Sequence, residues 1–143
     1  MLPKHHAIFG FLITIALIYL LKLSLLAGII IFLASILIDV DHYLYYVFKK
    51  KDLSLSRAYK YFLKLRQDRR KNKIFRPMFL LFHGVESFII LGILALLGFK
   101  LFLWILIGFI IHLFLDLMDL IAYKEPLYSK LSQLCVLYVL TYQ

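Results

Sequence analysis

The chain has 143 residues, 64% of them hydrophobic, with 17 Lys and Arg against 8 Asp and Glu. That length allows one domain, and a mean hydropathy of +0.90 is too high for a soluble fold of this size, so an integral membrane protein is expected. The single Cys135 excludes an internal disulfide.

The first apolar run covers about 4–21, and no small-residue cleavage site follows it, so it reads as a retained span rather than a signal peptide. Lys22-Leu23-Ser24 is a very short connector. The second span, about 25–48, must therefore double straight back as a helical hairpin. Ala27, Gly28, Ala34 and Ser35 supply small residues for close helix packing. Tyr43, Tyr45, Tyr46 and Phe48 read as an aromatic belt at the membrane surface.

Residues 49–76 hold twelve of the seventeen Lys and Arg and only Asp52 and Asp68. Within this segment Leu55, Ala58, Tyr59, Phe62 and Leu65 recur at helical spacing, with Arg57, Lys60 and Lys64 on the other side. The pattern predicts an amphipathic helix on the membrane surface, N-capped by Ser54 or Ser56, with Arg57, Lys60 and Lys64 meeting anionic lipid headgroups. The alternative for these charges is a purely topological role. Arg69-Arg70-Lys71-Asn72-Lys73 reads as a solvated basic loop. No nucleic-acid partner is expected for a stretch held between spans.

Pro77 opens a third span, about 77–97, and Gly98-Phe99-Lys100 turns it into a fourth, about 101–122. The tail, 126–143, is short and polar at its start, and is expected at the interface or packed on the bundle. The positive-inside rule places 49–76 in the cytoplasm. The expected fold is one all-α membrane domain over 1–143. It is a four-span bundle of two helical hairpins in the cell membrane, with a cytoplasmic amphipathic helix between spans two and three.

The polar residues are unevenly placed. All five His lie in or at the edge of apolar runs, as do Asp39, Asp41, Glu86, Asp116 and Asp119. A carboxylate at mid-membrane costs roughly 2.5–3.5 kcal/mol on insertion scales. Protonation, Lys or Arg pairing, or a metal must compensate these acids, and almost no Lys or Arg lies within the runs. At about 100° per residue, Asp116 and Asp119 sit about +40° and −20° from His112, so all three share one face, which Gly108 leaves open to close approach. Asp39 and His42 lie about 60° apart. Asp41 points about 160° from Asp39, so both acids reach one site only if the helix unwinds or two metals bind. His83 and Glu86 enter the third span from the same side. Histidine and carboxylate without thiolate suit Zn, Mn or Fe and, with more oxygen ligands, Mg. The plainer alternatives are an interhelical hydrogen bond for His112 and Asp116, a solvated cap for Asp39 to His42, and a proton relay for His83 and Glu86.

The runs His6-Ala-Ile-Phe-Gly10, Ile38-Asp39-Val40-Asp41-His42, His83, and Gly108-Phe-Ile-Ile-His112-Leu-Phe-Leu-Asp116 resemble a family of small multi-span membrane-bound metal-dependent hydrolases. The resemblance covers the four spans and neither the basic insert nor the tail. Ile38 stands where that family has proline, Leu81 to Ser87 lacks its Thr-His-Ser, and Asp119 replaces a common Thr. Either His83 or Glu86 must therefore supply the third-span ligand. The resemblance implies His6, Asp39, Asp41, His42, His83, His112 and Asp116 as ligands of one or two divalent ions (Zn, Mn or Mg), with Glu86 or Asp119 as general base or as a group behind the ligands. The reaction it implies is hydrolysis of a phosphate ester in a lipid or lipid-linked substrate. The rival is a non-catalytic metal binder or transporter, which would need polar residues in the outer halves, yet 88–97 and 101–107 are almost wholly apolar.

Overall fold

The computed structural model describes residues 3–72, 78 and 80–124. Among them the secondary structure is helical throughout: α1 Pro3–Leu21, α2 Leu25–Leu37, α3 Val40–Lys50, α4 Leu55–Asn72, α5 Val85–Leu96 and α6 Lys100–Ala122. Three helical stretches, Pro3–Leu21, Leu25–Lys50 and Lys100–Ala122, are long and apolar enough to cross a membrane. The expected tail, 126–143, and Pro77 lie outside the described residues.

The first hairpin turns at Lys22, which takes a left-handed φ of 51°. Ser24 then caps α2, its hydroxyl accepting from the Ala27 N–H. The expected small-residue face of α2 is buried: Ala27, Gly28, Ala34 and Ser35 all point inward. α2 packs most extensively against α6, and the two share a core in which Ile31, Ile111 and Leu115 form one cluster and Ala34, Ile38 and Phe109 a second. A β-carbon on Gly108 would lie 2.5 Å from the Ile31 carbonyl oxygen and 3.0 Å from the Ser35 nitrogen. Glycine there lets the two backbones touch. The opposite surfaces of these helices carry exposed Ile, Leu and Phe, among them Ile8, Phe9, Leu33, Leu37, Ile110 and Phe114, as lipid-facing helices do.

Two expectations need correction. The second span is a helix broken at Ile38–Asp39, where the chain turns before resuming as α3. The third span is shorter than expected, with helix only over Val85–Leu96, and residues 81–84 form turns instead. Side-chain bonding holds those turns open. The Ser87 hydroxyl donates to the Leu81 carbonyl at 2.6 Å, and the Phe82 N–H is drawn to the Asp41 carboxylate at 3.0 Å rather than into a helix. Protein covers much of this backbone: Leu80, His83 and Gly84 are buried.

The amphipathic helix forms as α4 and starts where expected, with the Ser54 hydroxyl accepting from the Arg57 N–H at 3.4 Å. It runs on to Asn72, so the basic stretch from Arg69 is helical and not a loop. Tyr45 and Tyr46 pack on Phe62 and Tyr61 of α4. Arg57 pairs with Asp52 through Nε and Nη2, each at 2.7 Å, with its side chain 69% exposed. Asp52 also accepts from the Tyr46 hydroxyl and the Ser54 N–H. These bonds hold the Asp52 carboxyl well below the usual carboxylate range, the Arg57 partner being the largest cause, and push the Arg57 guanidinium up. Lys60 and Lys64 are exposed on the outer face.

Candidate metal centre

The unusual polar residues come together where the N-terminal turns of α1, the α2–α3 break, the turn before α5 and the C-terminal half of α6 meet. His6, His83 and His112 are 1%, 2% and 0% exposed, and Asp41 and Asp116 are 3% and 5%. Groups at such burial need partners, and the bonding pattern shows which atoms have them.

His112 Nδ1 lies 2.8 Å from the Ser35 carbonyl oxygen. A carbonyl only accepts, so this nitrogen carries the proton. His83 Nδ1 lies 2.9 Å from Asp41 Oδ2, which fixes the same tautomer against a carboxylate. Both rings therefore turn an unprotonated Nε2 inward, and the two Nε2 atoms face each other at 3.3 Å. Two lone pairs at that distance repel unless a proton or a cation lies between them. Two nitrogens bound at about 2.0–2.1 Å to one tetrahedral ion are separated by about 3.3 Å.

Other donors converge on the same point. Asp39 Oδ1 is 3.6 Å from His112 Nε2 and 3.9 Å from His83 Nε2, and Asp116 Oδ2 is 4.0 Å from His112 Nε2. His6 stacks on the His112 ring, with centroids 3.9 Å apart. Its Nε2 is 3.2 Å from Asp116 Oδ1, yet neither ring nitrogen makes a hydrogen bond. Three overlapping groups have ligand atoms close enough for one ion: His6, Asp39 and His112; Asp39, His42 and His83; and His83, His112 and Asp116. A single proton between the two Nε2 atoms would leave this convergence and the unbonded His6 without cause. A divalent ion held by any one of these groups would give the convergence a cause, so the residues fit a metal.

The helix break explains how Asp39 and Asp41 reach one cluster. With the chain turned at Ile38–Asp39, Asp41 points into the core and spends its oxygens on His83, on the Phe82 N–H and on His42 Nδ1 at 3.0 Å. Asp41 thus stands behind the converging candidate ligand atoms, and Asp39 stands among them. His42 Nδ1 lies between Asp41 and Asp39, 3.3 Å from the latter.

Neither expected general base joins these groups. Glu86 sits in the first turn of α5, outside all three. Asp119 shares the face of His112 and Asp116 as the helix geometry demands, but binds Arg66 Nη2 at 2.9 and 3.0 Å and Arg70 Nη2 at 3.1 Å. The roles of Arg66 and Arg70 were not foreseen. The available signal was their spacing of four residues, which puts both on one side of α4.

A cavity of about 220 Å³ opens beside the cluster. Its lining joins the polar Asp39, His42 and Asp116 with the apolar Phe62, Leu65 and Leu120, and includes Arg66, Arg69 and Asp119. The apolar stripe of α4 therefore faces this cavity. No protein family, curated protein or solved structure matches this chain.

Proposed function

We propose that this chain is a membrane-embedded, metal-dependent hydrolase of the kind its motifs resemble, cleaving a phosphate ester at the cytoplasmic leaflet. The observation that carries the metal reading is the pair of inward Nε2 atoms of His83 and His112, 3.3 Å apart with both Nδ1 protons already donated. His83 is then the third-span ligand, and Glu86 is not. Asp39, Asp116 and His6 complete the set.

When bound, a divalent ion supplies Lewis-acid polarisation and a water of lowered pKa. The chain supplies the rest. Asp41 and the Ser35 carbonyl fix the two tautomers and ring orientations. Asp39 and Asp116 balance a double positive charge in an apolar setting, where uncompensated charge of either sign is costly. His42 lines the cavity with Nδ1 against the two acids, which places an imidazole to take a proton from the nucleophile. With Asp119 committed to Arg66 and Arg70, His42 is the better candidate for that proton. The described residues offer no Ser or Cys beside a base in this cavity, in keeping with direct attack by water.

Metal transport is less well supported, because the polar cluster sits at one end of the bundle and the opposite half of α6, Leu101 to Ile107, has no ionisable residue. The test is elemental analysis of the purified chain, followed by a panel of phospholipids and lipid phosphates with added Zn or Mn. Cleavage should stop with chelator and return with metal. Tight metal binding without cleavage, together with metal uptake into vesicles, would replace the hydrolase reading with transport.

A further inference from the structure

The cavity has a chemical asymmetry that the metal alone does not use. Its lining sets acid and imidazole against the apolar stripe of α4 and includes two guanidinium groups, those of Arg66 and Arg69. Arg66 is only 19% exposed at its side chain and donates one nitrogen, Nη2, to both oxygens of Asp119, itself 14% exposed. The Tyr123 ring lies over the neighbouring Arg70, 3.3 Å from its guanidinium carbon. A guanidinium fork matches a phosphate as well as it matches a carboxylate, and Asp119 is one turn from the metal-facing Asp116.

We propose that Arg66 is the anion-reading residue of this site, resting on Asp119 until a phosphate or phosphonate group enters, and that the ligand is a single-chain amphiphile. This rests on the metal reading above and adds the substrate class to it. The group at the head lies between the histidine–aspartate cluster and Arg66. The chain follows Phe62 and Leu65 toward the exposed Leu55 and Tyr59. The cavity is smaller than the roughly 300–1,000 Å³ of sites that enclose a drug-sized ligand, so it receives the head and first carbons and leaves the rest of the chain outside. Asp119 competes with the ligand for Arg66, and that competition separates this proposal from a simple helix clamp. If the pair only fastened α4 to α6, removing either partner would do the same harm. As an anion reader and its placeholder, the two should act in opposite directions.

The experiment titrates zinc-loaded full-length protein in neutral detergent with dodecylphosphonate, which has no ester to cleave, and with inorganic phosphate. Zinc content is measured on the same samples. Arg66→Ala should weaken dodecylphosphonate binding by roughly ten- to a hundredfold, and Arg66→Lys should fall between it and the parent. Asp119→Asn should bind at least as tightly as the parent. Inorganic phosphate should bind more weakly than dodecylphosphonate. Equal losses in Arg66→Lys and Asp119→Asn would overturn the proposal in favour of a clamp, and phosphate binding as tightly as dodecylphosphonate would overturn the amphiphile class. Arg66-dependent binding in protein that holds no zinc would leave this site standing and sink the metal reading. Zinc retained with Arg66-independent binding would do the reverse.

Discussion

Gly108 of α6 lies so close to Ile31 of α2 that an added methyl group would stand 2.5 Å from the Ile31 carbonyl oxygen. A backbone oxygen cannot rotate away, so Gly108→Ala must push the helices apart one turn from the His112–Ser35 bond. Overpacking of this kind costs about 1–3 kcal/mol. The variant is expected to melt earlier in detergent and to lose metal. Gly10→Ala meets the Ser35 hydroxyl at 2.8 Å, a group that can turn, and should be milder. Equal melting temperatures for Gly108→Ala and the parent would show that the α2–α6 contact does not set the site.

Asp41 is expected to act on the metal through His83. Groups one step behind a ligand typically alter metal affinity by roughly 10–100-fold. Asp41→Asn keeps the shape and removes the charge that fixes the His83 tautomer, so zinc affinity should fall by that factor while helix content stays constant. Unchanged affinity by competition with a chelator of known strength would sink the role.

Much of this arrangement was legible in the sequence, and the illegible parts have physical reasons. The hairpins, the Ser54 cap and the shared face of His112, Asp116 and Asp119 follow from periodicity and connector length, which are local. The opposed directions of Asp39 and Asp41 were legible as a conflict, and the break at Ile38–Asp39 is how the chain resolves it. That break leaves no strong local mark, since Ile38 is an apolar residue at the end of an apolar run, with no Gly or Pro beside it. The shortened α5 was hidden because its cause, the Asp41–Phe82 bond, joins residues 41 positions apart. The partners of Asp119 lie 53 and 49 positions away, so a pattern reader sees a spare acid where the fold has an ion pair.

The α3–α4 corner should weaken in acid. Asp52 is held below its ordinary range by Arg57, Tyr46 and Ser54, so its contribution is full above the unfolded carboxylate range, near pH 4, and fades as pH falls toward the depressed folded value. Amide exchange at the start of α4 should stay slow from pH 7 to about pH 4 and rise below it. Asp52→Asn should exchange faster throughout and lose the acid dependence. A parent profile that loosens between pH 5 and 7 would place the titrating group elsewhere.

Lys60 and Lys64 are exposed on α4, as is Arg57, whose charge is paired with Asp52. Each lysine is worth about 1 kcal/mol near an anionic surface and is screened by salt. Replacing both with Gln should weaken association of detergent-free protein discs with anionic vesicles at low salt, with little difference at high salt. Binding that ignores both salt and substitution would leave these lysines a topological role only.

The brevity of α5 has a consequence for the surrounding lipid. Its 12 residues rise about 18 Å, whereas the 23 of α6 beside it rise about 35 Å, against a hydrocarbon layer of about 30 Å. For a chain embedded through α1, α2–α3 and α6, a local dimple of the bilayer on the α5 flank is one way to match the shorter helix. Such a dimple lowers headgroups toward the level of His83. It would make this flank the shortest path for an amphiphile from the leaflet to the metal cluster, so host-lipid chain length becomes a control on access as well as on stability.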